Sequence, residues 1–184
     1  TSRESSRTVV IAERGAETIL RARLPAPLLL ADVARGAAPP AILTGEGRRL
    51  DRAAGAADME TFAYRLATAF GVQIDGAAVR PTVDAVVVRH AARLPVLTTP
   101  ASADAAMAVL PTAPNPHVAD SYVDAKLILP ATGDLTLTAP ADRIVLTGHV
   151  HLITTVIDAR AEPPIRRTLT GAIGTPIALP GSAS

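Results

Sequence analysis

The scarcity of rings limits this chain more than any other feature: two Phe and two Tyr, no Trp and no Cys, in 184 residues. An interior has to be filled by Ala, Val, Leu and Ile. Apolar residues make up 48 % of the chain, enough for a buried core and too many for disorder throughout. The same scarcity removes the aromatic platforms on which single-stranded nucleic acid stacks. Zero Cys removes disulfides, thiol catalysis and thiolate metal sites.

Charge excludes further classes. A net charge of +1 gives no electrostatic case for nucleic acid or an anionic membrane. Lys126 is the only Lys among 18 basic residues, and the pairs Arg48-Arg49 and Arg166-Arg167 are too short to make a patch. The segment Thr1 to Arg7 is polar and has no apolar signal region. The longest apolar runs fall far below the roughly 20 residues of a membrane span. The expected setting is therefore cytoplasmic, or within a particle assembled in the cytoplasm.

Periodicity predicts an α+β protein. Thr8 to Ala12 and Glu17 to Leu24 read as two strands of an N-terminal hairpin, with Leu20, Ala22 and Leu24 on one face and Arg21 and Arg23 on the other. A short helix follows from Pro27 and closes at Gly36. Asp58 is an N-cap for a helix with Met59, Phe62, Leu66 and Phe70 on its apolar face, ended by Gly71. Val83 to Arg89 reads as a buried strand, and 102–110 as a helix capped by Ser102 and stopped by Pro111. The division drawn from this reading is an α+β part over 1–110, a Pro-rich linker over 111–117, and a β-rich part over 118–184. In that last part the period becomes two: Val123, Ala125, Leu127 and Leu129 alternate with Tyr122, Asp124, Lys126 and Ile128, and Leu135 and Leu137 with Thr136 and Thr138. An antiparallel sheet or small sandwich with an extended tail is expected there.

The sharpest candidate for chemistry is His149-Val150-His151. Residues two apart in a strand share a side, so both imidazoles would face one ion, with a third ligand from His90, His117, Asp120, Asp124 or Asp158. The pair resembles the His-x-His of the cupin family, which implies a divalent metal and a metal-dependent enzyme or binding module. Ile153, Thr154 and Thr155 stand where that family carries its following Glu.

Asp58-Met59-Glu60-Thr61 resembles the Met-Glu helix of the nucleoside phosphorylase and nucleosidase family. That resemblance implies ribose contacts at Met59 and Glu60 in a small-ligand enzyme. No Gly-x-Ser-x-Gly elbow is present, and Gly45-Glu46-Gly47-Arg48 is not followed by the Lys-Ser/Thr of a phosphate loop. The expectation that follows is a non-catalytic structural or interaction protein. It would self-associate or bind protein partners in a larger assembly, with no nucleic acid and no membrane, and a virus-like or tail-like particle fits that description.

Overall fold

A computed structural model describes residues 5–30, 43–44, 49–51, 64–66, 71–109, 115–138, 151–172 and 176–181. Among these residues the protein is mostly β, with two helices whose bounds are both described. The N-terminal hairpin forms as the alternation predicts: β1 (Ser5–Arg14) pairs antiparallel with β2 (Glu17–Pro25) around Gly15. Gly15 sits at φ 60, the left-handed value that a two-residue hairpin loop asks for and that costs glycine nothing. A four-residue helix, α1 (Ala26–Leu29), follows β2 with Pro27 in its first turn.

Ten further strands lie among the described residues. They are β3 (Leu43–Thr44), β4 (Arg49–Leu50), β5 (Gly71–Ile74), β6 (Ala77–Ala78), β7 (Thr82–His90), β8 (Ser121–Leu129), β9 (Leu135–Thr138), β10 (His151–Asp158), β11 (Ile165–Ala172) and β12 (Ile177–Leu179). A six-stranded mixed sheet runs β11-β10-β1-β2-β8-β7, and an antiparallel sheet of four runs β12-β9-β5-β6. Among the described strands of the larger sheet, only β1 and β10 pair in parallel.

Alternation fixes which side chains meet. Val9, Ile11, Leu20, Ala22, Leu24, Val123, Ala125, Leu127, Leu129 and Val156 leave the large sheet on one face. There they share a single apolar cluster with Val72, Ile74, Leu135, Leu137, Ile177 and Leu179 of the small sheet. Branched aliphatic side chains fill this interface, as the lack of rings requires. Leu66 joins the same cluster and is fully buried. Residues 64–66 are helical, as expected; the remainder of the predicted 58–70 helix lies outside the described residues. Tyr64 is exposed, with the Arg80 guanidinium 4.7 Å from its ring centre.

The opposite face of the large sheet carries α2 (Pro100–Ala108), whose Ala103 and Ala106 pack with Val10, Leu97 and Ile157. Here the sequence reading needs a correction. The N-cap is Thr99, not Ser102: Thr99 Oγ1 accepts from the Ser102 amide, and Ser102 Oγ accepts from the Thr99 amide. Ser102 is thus the reciprocal partner of a capping box. Pro at the first helical position moves the start of the helix ahead of Ser102.

The expectation of a separate C-terminal sheet is also corrected. β8, β10 and β11 join β1, β2 and β7, whereas β9 and β12 join β5 and β6. The β12 tail, expected to be merely extended, pairs with β9. Gly71, expected to stop a helix, opens β5. A Cβ there would come within 3.2 Å of the Thr138 carbonyl oxygen, so the close β5–β9 approach itself selects glycine. Of segment 111–117, Asn115, Pro116 and His117 run beside β4: the Asn115 carbonyl accepts from Arg49, and the Pro116 carbonyl from the Leu50 amide.

Candidate functional site

Two concentrations of polar side chains stand out. The first lies on the α2 face of the large sheet. Arg23 of β2 and Asp124 of β8 are directly opposite one another, and their side chains join through two bonds of 2.7 and 2.8 Å. Arg89 of β7 reaches the same carboxylate at 2.7 Å. Asp124 is fully buried, which is tolerable because two guanidinium groups and three hydrogen bonds satisfy it.

The remaining donors of this network bind backbone. Arg23 gives a hydrogen bond to the Pro95 carbonyl, and Arg89 to the carbonyls of Val109 and Ala106. The last two lie at the C-terminal end of α2, where carbonyls lack helical partners and a cation is favoured. Beside them Arg21 holds Asp104 of α2 through bonds of 2.6 and 3.0 Å. The arginines therefore fasten α2 and the 91–98 connection onto the sheet face that also carries Val10 and Ile157.

The second concentration is a cleft of about 750 Å³ beside the turn between β10 and β11, with Asp158, Arg160, Glu162, Ile165, Arg167 and Leu179 on its wall. Arg160 is a clip. Its Nε and Nη2 grip Asp158, both at 2.9 Å, while Nη1 binds the Gly133 carbonyl at 2.8 Å and Nη2 also reaches the carbonyls of Leu179 and Pro180. One side chain thus joins β10, the turn before β9 and the β12 tail. Gly133 belongs to that turn at φ 145, with its Cα hydrogen against the Asp75 carboxylate, where a Cβ would lie 2.5 Å from Oδ2. No imidazole, hydroxyl or thiol lines this cleft among the described residues.

The candidates read from the sequence are dispersed. His149 lies outside the described residues, as do Met59 and Glu60. His151 opens β10, opposite Ala172 of β11. Asp158 ends the same strand, seven residues on and roughly 23 Å away, in the grip of Arg160. Asp124 sits on β8, three strand spacings or roughly 14 Å from β10, and is held by Arg23 and Arg89.

His90 ends β7, four spacings or roughly 19 Å from β10, and its Nδ1 accepts from the Ala92 amide. His117 uses its Nδ1 to cap the short 3-10 turn Val118–Asp120 by accepting from the Ala119 amide. Among the described residues no three His, Asp or Glu side chains gather as a metal site would require, and no helix is long and apolar enough to cross a membrane.

Sequence reasoning missed Arg23, Arg89 and Arg160. Alternation did place Arg21 and Arg23 on the face away from Leu20 and Leu24. Nothing in the sequence announced that a helix would bury that face. Comparison with protein-family models finds no match, and comparison with curated proteins finds no significant similarity.

Proposed function

We propose that this protein is a non-catalytic structural subunit that associates with further copies of itself or with other proteins in a larger assembly. The observation that supports it most is the β11 edge. Its eight residues pair with β10 on one side and with no described strand on the other. Ile165 on this edge is 52 % exposed, and Arg166, Arg167 and Thr168 are exposed beside it. An uncovered strand presents backbone donors and acceptors that another chain can pair with.

The polar chemistry supports the same reading. Asp124, Asp158 and Asp104 each grip an arginine that fastens one part of the fold to another.

The deciding measurement is native mass as a function of concentration, by sedimentation velocity or native mass spectrometry. Oligomers that grow in with concentration, or a co-purifying partner, are the expected result. A monomer that persists at high micromolar concentration and co-purifies with nothing overturns the reading.

A further inference from the structure

Five arginine side chains are buried in the described structure, and four of them hold an aspartate: Arg21 holds Asp104, Arg23 and Arg89 hold Asp124, and Arg160 holds Asp158. Arg7 is the exception. It is 3 % exposed, its Nε donates to Thr154 Oγ1 at 2.9 Å, and its Nη1, like that of Arg21, has no hydrogen-bond partner among the described residues; unlike Arg21, it holds no aspartate. Alternation along β1 puts it on the face of Val9 and Ile11, toward the apolar cluster and away from the arginine–aspartate network. Its cross-strand neighbour Thr154 is itself buried and supplies a neutral oxygen, not a counter-charge.

A guanidinium cannot escape such a position by losing its proton near neutrality. Burial without a counter-charge is strongly unfavourable, and the other four sites show how this fold meets that demand. We propose that Arg7, seated beside Thr154, is an anion-binding site that takes a small oxyanion, a carboxylate or a phosphate group, through its free Nη1 edge. A planar fork with one edge on Thr154 leaves the other edge for an oxyanion. The bound anion would bear on the β1–β10 seam, the one parallel pairing among the described strands and the contact that joins residues 5–11 to 152–158.

The test uses the full chain and inorganic probes. Melting temperature is followed against sodium phosphate and sodium acetate, with sodium chloride at matched ionic strength as the control. A saturable rise of a few degrees beyond chloride is expected for the wild type and none for Arg7→Met. A rise with phosphate alone assigns a phosphoryl ligand; a rise with acetate assigns a carboxylate. Absence of any rise beyond chloride, or an equal rise in Arg7→Met, overturns the proposal. Should Arg7→Met not fold, Arg7→Lys decides: it keeps the charge but loses the fork, and is expected to bind the anion about tenfold more weakly. Unchanged affinity in that variant overturns the site.

Discussion

Arg23 and Asp124 occupy the same register position on neighbouring strands and join through a double hydrogen bond beneath helix α2. Arg89 adds a third bond to that carboxylate and anchors the end of the helix through its other donors. The sheet's second face is therefore closed by ion pairs set beside the smaller apolar cluster of Val10, Leu97, Ala103, Ala106 and Ile157.

Removing the shared anion should be costly. Asp124→Asn leaves two buried guanidinium groups without a full counter-charge, and a loss of about 3–5 kcal/mol is expected in urea unfolding. The combined change Arg23→Met, Asp124→Leu and Arg89→Met removes every charge together, and is expected to recover most of that loss. A single Asp124→Asn costing under about 1 kcal/mol would show the network to be dispensable.

Arg160→Met should free the tail. Three carbonyls, those of Gly133, Leu179 and Pro180, lose their donor at once, and Asp158 loses its partner. Hydrogen exchange at 177–179 is expected to quicken by at least about tenfold while β1 and β2 keep their protection. Uniform quickening across the sheet would instead mean that Arg160 supports the whole fold.

The helix cap gives a smaller effect. Thr99→Ala removes the oxygen that accepts from Ser102, and a loss of about 1 kcal/mol is expected. Thr99→Ser keeps that oxygen and should stay near the wild type. Denaturant midpoints at constant m-value check both.

Arg7 links stability to alkaline pH. Burial lowers its pKa to about 10, well below the ordinary arginine value, so the unfolded chain holds that proton more tightly than the folded one. The penalty is complete below about pH 10 and fades as pH rises from there toward the ordinary arginine pKa. In chloride buffer Arg7→Met should therefore be the more stable by about 3 kcal/mol near neutrality. That advantage should shrink at about pH 11. Paired urea titrations of the two proteins check it, and a constant gap would sever the link to Arg7.

The imidazole pair has its own discriminating measurement. A structural subunit purified without a histidine tag is expected to carry well under one equivalent of Zn, Mn, Fe or Ni. A full equivalent that disappears in His149→Ala or His151→Ala would make the protein a metal-binding module instead.

The sequence by itself determined the local elements whose cause is local. The β1–β2 hairpin follows from alternation around Gly15, the β8 strand from Val123, Ala125, Leu127 and Leu129, and β7 from its valine run. It also determined an aliphatic core, because no other apolar side chains are present in number. Tertiary structure alone decided the partners. β8 lies between β2 and β7, and β10 runs parallel to β1, because strand pairing rewards contacts that no local pattern encodes. The same holds for the charges: Arg23 and Asp124 stand 101 positions apart, and only the register of β2 on β8 makes them one buried pair.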